Sequence, residues 1–309
     1  MASSNARHAA RQDQVLTGLI GRHIGASRSP WLHEREAEAQ GLMLTYKLFD
    51  FAAIGADESH LAAQLDAVEG AGYAGVNVTY PYKQAVIAHL DELSAEAARV
   101  GAVNTVKFRD GRRLGYNTDV TGFTESMRTG LPDAALGRVL QIGAGGGGAA
   151  TAQALLELGV GTLIVCDRDT ARAAALARRL RDGFGAERAS DVDDPLSAIA
   201  GVDGIVNATP MGMAATPQAP IDTSKLTPRH WVADIVYFPI ETELLRAARA
   251  RGCATLDGSG MAVYQAAAAF EIFTGRRAER PRMLRSFIEY AGAAAPRREI
   301  SENPAADYS

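Results

Sequence analysis

The chain of 309 residues contains only two cysteines, Cys166 and Cys253. That excludes a disulfide framework and argues against a cysteine zinc site. Both thiols are expected to be buried and reduced, as in a cytoplasmic protein. The histidines (His8, His23, His33, His60, His89, His230) show no H-x-x-x-H or H-x-H spacing, so no metal is expected. No apolar run reaches the roughly 18 residues that a membrane helix needs. Positive charge is not in surplus either: 32 Lys and Arg against 36 Asp and Glu leave a net charge of −4. A nucleic-acid or anionic-membrane surface would need clustered basic residues, so small molecules are the expected partners. No G-x-S-x-G elbow supports a serine hydrolase. Residues 1–14 lack the apolar core of a secretory signal and read as a disordered leader; 292–309, rich in Ala, Pro and charge, read as a disordered tail.

What the chain has in quantity is glycine, 31 residues, which suggests tight turns or a backbone that approaches a ligand closely. Its length suits roughly two domains. Strand and helix patterns alternate throughout. In the first half, strands are expected at 15–20, 42–49 and 75–79, and helices at 30–40, 60–69 and 83–90. The first helix has Ser29 as its cap and Pro30 at its first position. A hairpin of 103–108 and 113–116 turns at Asp110-Gly111, the sequence a type I′ turn prefers, and a helix follows at 118–127. In the second half, short and nearly all-apolar strands at 139–142, 163–166, 205–207, 232–236 and 254–256 alternate with helices. Such runs belong to a parallel sheet covered on both faces. The fold class is therefore α/β in two domains: a substrate and catalytic domain over 15–119, completed by 258–291, and a doubly wound dinucleotide-binding domain over 120–257.

Strand 139–142 runs into Gly143-Ala144-Gly145-Gly146-Gly147-Gly148, and a helix follows. This is G-x-G-x-x-G in its required setting, where glycine lets a pyrophosphate approach the amides of a helix N-terminus. Gly143, Gly145, Gly146 and Gly148 are the expected contacts. The next strand ends at Asp167, 22 residues after Gly145, where a carboxylate would accept from a ribose 2′-hydroxyl. Asp167 would repel a 2′-phosphate and so favours NAD, whereas the adjacent Arg168 would welcome that phosphate and favours NADP. In the first half, Asn77-Val-Thr79-Tyr-Pro-Tyr-Lys83 and Asn117-Thr-Asp119 gather polar groups at strand ends, where ligands bind in open α/β sheets. Lys83 and Asp119 are a candidate acid–base pair.

These blocks resemble the shikimate/quinate dehydrogenase family. The resemblance runs in one order over about 15–290: G-L-I-G…S-R-S-P-W-L-H-E (18–34), G-V-N-V-T-Y-P-Y-K (75–83), G-A-V-N-T (101–105), G-Y-N-T-D-V-T-G-F (115–123), G-A-G-G-G-G (143–148), N-A-T-P-M-G-M (207–213), D-I-V-Y-F-P-I-E-T-E-L-L (234–245) and D-G-S-G-M-A-V-Y-Q-A (257–266). It implies an enzyme that exchanges hydride between a nicotinamide and a ring hydroxyl of shikimate, with quinate a further substrate, on a substrate domain joined to a Rossmann-type domain. By motif, Lys83 and Asp119 form the catalytic pair. Ser27 and Ser29 hold the substrate carboxylate with Tyr237 beside it, Asn77, Thr79, Asn104 and Gln265 contact ring hydroxyls, and Asn207, Thr209 and Met213 line the nicotinamide end.

His23, Ala26 and Glu34 depart from the usual biosynthetic motif, and Asp167-Arg168-Asp169 replaces its N-R-T/S. Both departures resemble the NAD-dependent quinate/shikimate branch. Ser29, where that branch often has Thr, makes shikimate the safer substrate. The alternatives are an NADP-dependent biosynthetic enzyme, a methylenetetrahydrofolate dehydrogenase-like enzyme, and a non-catalytic dinucleotide-responsive sensor on the same fold. The composition is compatible with a monomer or a homodimer.

Overall fold

The computed structural model describes residues 14–292. The expected leader and tail lie outside these residues, apart from Gln14 and Gly292, which begin the first strand and end the last helix. The first half is built from β1 (Gln14–Gly21), α1 (Ser29–Ala39), β2 (Met43–Asp50), α2 (Leu61–Gly70), β3 (Gly75–Val78), a short β4 (Glu92–Leu93), α3 (Ala95–Val100), β5 (Thr105–Arg109) and β6 (Arg112–Tyr116). These strands form one six-stranded sheet in the order β2-β1-β3-β5-β6-β4. It is parallel across β2, β1 and β3 and antiparallel at β5. The hairpin turns where expected, with φ of 53° at Asp110 and 70° at Gly111, the left-handed pair that a type I′ turn needs.

Helix α4 (Thr118–Gly130) leads into the second half: β7 (Arg138–Ile142), α5 (Gly146–Glu157), β8 (Thr162–Cys166), α6 (Thr170–Phe184), β9 (Ala189–Asp191), α7 (Leu196–Ile199), β10 (Gly204–Asn207), β11 (Trp231–Asp234), α8 (Glu243–Ala250) and β12 (Ala254–Leu256). This sheet is wholly parallel, in the order β12-β11-β10-β7-β8-β9. The chain steps from β7 outward through β8 and β9, then returns to β10 on the other side. That reversal opens a crevice at the carboxyl ends of β7 and β10. Buried residues cover both faces, which is why its strands read as apolar runs.

Two last helices, α9 (Ser259–Thr274) and α10 (Arg280–Gly292), return to the first half. Ala262, Val263, Ala266 and Phe270 of α9 pack with Leu32 and Ala37 of α1 and with Met283 and Phe287 of α10. A Cβ at Gly122 would stand 2.8 Å from the carbonyl of Met261 and 2.9 Å from the Gln265 amide, so glycine lets α4 and α9 cross at backbone contact.

Two local expectations fail. Instead of a helix over 83–90 there is a 3₁₀ turn, Ala85–His89. The Lys83 carbonyl, which a helix would need, accepts from the amide of Val103 at 2.7 Å. Ser29 is not a cap either: α1 starts one residue earlier, with Arg28 at the cap position and no side-chain cap bond. The amide of Leu32 already bonds the Arg28 carbonyl, and Ser29 lies inside the first turn. β4, α3, β9 and α10 lie outside the elements that the sequence pattern predicts.

Candidate active site

The polar groups at the ends of β3 and β5 form one connected network. Asn117 caps α4 by accepting from the Asp119 amide at 3.1 Å, which sets the Asp119 side chain at the head of that helix. The Asp119 carboxylate takes a hydrogen bond from Asn104 Nδ2 at 2.9 Å on Oδ1 and one from Lys83 Nζ at 2.6 Å on Oδ2. Lys83 and Asp119, 36 residues apart in the chain, are thus a directly bonded pair.

Asn104 also gives its second amide hydrogen to Thr118 Oγ1, while its oxygen accepts from the Thr118 amide and the Thr105 hydroxyl. Its donors and acceptors are spent within the protein. Asn77 donates to Asn104 O and Thr105 Oγ1 and accepts from Tyr46 Oη at 2.8 Å, which leaves a lone pair on its oxygen. Thr79 is half-buried beside this cluster at the end of β3.

Ser27 and Ser29, at the start of α1, have their hydroxyls 3.3 Å apart. Tyr46, on β2, joins the two groups: its hydroxyl lies against Ser29 as well as Asn77, and burial pushes its pKa up. Nothing in its apolar-looking strand marked it as a site residue. His33, 1% exposed, packs its ring on Tyr46, Phe270 and Phe273. Burial drives its pKa down to about 3, so it is neutral. Tyr237 stands at the rim, 41% exposed, with its ring edge toward Phe287. Gln265, on α9, is half-buried and bonded to the Ala262 carbonyl. Tyr82 is core, whereas Tyr80 projects into solvent at 74% exposure.

The glycine loop fits a dinucleotide pyrophosphate. Gly145 precedes α5, with no side-chain cap on the first amides of the helix and open space where a Cβ would stand. At Gly148 a Cβ would fall 2.2 Å from the Gly143 carbonyl, and Gly143 itself has φ of +108°. Gln141 staples this turn from below: its Nε2 donates to the carbonyls of Gly143 and Gly148, and its Oε1 accepts from Thr151. A glutamine inside an otherwise apolar strand is the sequence signal of this brace.

Asp167 Oδ2 accepts from the Ala144 amide at 2.7 Å, and Oδ1 accepts from the Asp169 amide. The carboxylate therefore ties the end of β8 to the glycine loop and still has lone pairs toward solvent. Arg168 is exposed and forms no ion pair among the described residues.

The remaining loops close the crevice. Asn207 is fully buried, and its side chain binds Met211 O, Asp234 Oδ1 and the amide and hydroxyl of Thr209. Asp234 also accepts from Thr242 and the Val236 amide, and burial pushes its carboxyl up to about 6. This knot holds the loop carrying Met213, which is 45% exposed, to the loop carrying Tyr237. Asn207 and Thr209 shape that loop rather than present free polar atoms to a ligand. The two halves meet at Lys83: a Cβ on Gly146 would lie 3.4 Å from its side chain. The Lys83 stem thus rests on the first turn of α5.

Residues 19–106 match the shikimate dehydrogenase substrate binding domain, and 258–286 match the shikimate 5′-dehydrogenase C-terminal domain. A shikimate dehydrogenase (NADP(+)) of Streptomyces avermitilis is 54% identical over 93% of this chain and 99% of its own. A quinate/shikimate dehydrogenase (NAD(+)) of Corynebacterium efficiens is 50% identical over 89% and 98%. Among solved structures, quinate dehydrogenase from Corynebacterium glutamicum in complex with NAD superposes with a TM-score of 0.84 at 49% identity, covering 90% of this chain and all of that one. With this likeness along nearly its whole length, the chain belongs to the shikimate/quinate dehydrogenase family.

Proposed function

We propose that this chain is a cytoplasmic shikimate dehydrogenase that prefers NAD and also accepts quinate. The observation that carries the reading is the 2.6 Å bond between Lys83 Nζ and Asp119 Oδ2, placed where the lysine stem meets the glycine loop. A bound nicotinamide dinucleotide supplies the hydride acceptor. This chain's residues do the rest. Lys83 takes the hydroxyl proton as its neutral amine when the carbinol is oxidised, and carries it as the ammonium that gives it back to the ketone oxygen. Asp119 holds Lys83 in place and stabilises that ammonium form. Asn104, whose own hydrogens are spent, acts by fixing Asp119.

Asn77 (through its remaining lone pair), Thr79 and Gln265 contact ring hydroxyls. Ser27, Ser29 and Tyr237 hold the carboxylate. Gly143, Gly145, Gly146 and Gly148 would hold the pyrophosphate of the dinucleotide. Asp167 would hold the ribose, and the loop of Asn207, Thr209 and Met213 would flank the nicotinamide.

One observation favours NADP instead: Arg168 is exposed and unpaired beside Asp167. Initial rates for shikimate and quinate, each with NAD and NADP, test both readings. Rates chiefly with NAD are expected, with shikimate the better substrate. Rates chiefly with NADP would hand cofactor choice to Arg168, and no turnover in any pairing would favour a sensor.

A further inference from the structure

Arg28 stands between Ser27 and Ser29 in the chain and is buried at 6% exposure. It has no carboxylate partner among the described residues, and its Nη1 makes no hydrogen bond. Its guanidinium carbon stands 4.9 Å from the ring centroids of both Phe238 and Phe287 and 5.5 Å from that of Tyr290. Aromatic faces offset part of the cost of a buried cation, but only part. Burial holds the Arg28 pKa below the usual arginine value, and an arginine so placed still keeps its charge. The cage also stops the side chain from swinging out to water.

The groups around it supply no negative charge. Ser27, Ser29 and Tyr46 are neutral hydroxyls, and His33 is neutral in its aromatic nest. The Tyr237 hydroxyl lies within electrostatic reach of both Arg28 and Asp119, so both charges lie near the same tyrosine. Lys83 is already neutralised by Asp119. An anion brought to the two serine hydroxyls therefore finds its countercharge in Arg28 alone of these groups.

We propose that Arg28 is the charge partner of the substrate carboxylate and sets the preference for an acid over its neutral analogue. The inference rests on the dehydrogenase reading above. A purely structural alternative exists, in which Arg28 only clips the Phe238 loop to α10. The two differ in what they predict for an uncharged substrate.

The test compares the full chain with Arg28→Met and Arg28→Lys, using shikimate and shikimate methyl ester. Wild type should favour the acid. Arg28→Met should raise the KM for shikimate roughly 10- to 100-fold, the range for losing one charge-assisted contact, with kcat nearly unchanged. The ester should be almost unaffected, so the acid-to-ester ratio of kcat/KM falls toward one, and Arg28→Lys should restore part of it. Equal losses for acid and ester would overturn the proposal and leave a structural clip. If Arg28→Met fails to fold, Arg28→Gln and Arg28→Lys are read by the same ratio. A wild type inactive on shikimate and quinate would sink the dehydrogenase reading and this inference with it. An active wild type with an unmoved ratio in the variants would sink this inference alone.

Discussion

The two halves of the molecule build their parts of the crevice from different materials. In the first half, the end of the mixed sheet is lined with side chains that hold one another: Tyr46 to Asn77, Asn77 to Thr105, Asn104 to Asp119, Asp119 to Lys83. In the second, the loop after β7 works through its backbone, and side chains such as Gln141 and Asp167 serve mainly to hold that backbone still. Chemistry on a substrate needs titratable groups at one place, and only side chains supply them. Holding a pyrophosphate needs several amides on a close-lying surface, which glycine exposes and a Cβ would cover.

The largest effect should come from breaking the side-chain half. Lys83→Ala is expected to lower kcat by roughly 10²–10⁴-fold with a small change in substrate affinity, because a positioned acid–base is lost while the carboxylate subsite stays. Steady-state kinetics with and without the substitution decide it, and near-normal turnover would remove Lys83 from the chemistry.

Two glycine substitutions sharpen the contrast within the backbone half. At Gly148 a Cβ would meet the Gly143 carbonyl at 2.2 Å, so Gly148→Ala must move backbone and should cost about 1–3 kcal/mol of stability as well as cofactor affinity. At Gly145 nothing lies within 4 Å of the added atom, so Gly145→Ala should melt like wild type yet raise the dinucleotide KM. Thermal melts paired with cofactor titrations separate the two. Equal melting temperatures for both variants would mean that the loop relaxes freely.

The smallest effect lies at the seam between the halves. Burial pushes the Glu96 carboxyl on α3 up to about 7, helped by the charges of Glu157 and Asp119 and opposed by Arg99. A carboxyl whose folded value is raised contributes its stability in full below the ordinary value near 4.5 and loses it as pH climbs to about 7. Glu96→Gln should therefore match wild type at acid pH and melt about 1–3 °C higher at pH 8. A difference that does not change with pH would mean that Glu96 ionises freely.

Much of this organisation was legible in the residue order. Alternating strand and helix patterns located most of both sheets, since burial on two faces leaves a readable apolar run. The glycine loop, Lys83 and Asp119 stand out in the sequence because their residue types are ones that close approach or acid–base chemistry would select. The turn at 85–89 departs from the helix that local pattern predicts because a tertiary bond, Val103 to the Lys83 carbonyl, takes an acceptor that the helix would need. Ser29 was misread by a single residue of helix register.

The order of residues thus determined by itself the α/β class, the two-part organisation and the place of the glycine loop, because periodicity and glycine spacing are local properties. Tertiary structure alone decided how the polar groups divide their hydrogen bonds. Only in the folded chain do Asn104 and Asn207 turn inward, Tyr46 join the serines to Asn77, Gln141 brace the glycine turn and Arg28 stand buried without a counterion. A hydrogen bond or an unpaired charge is a property of two groups in space, and the distance between them along the chain does not record it.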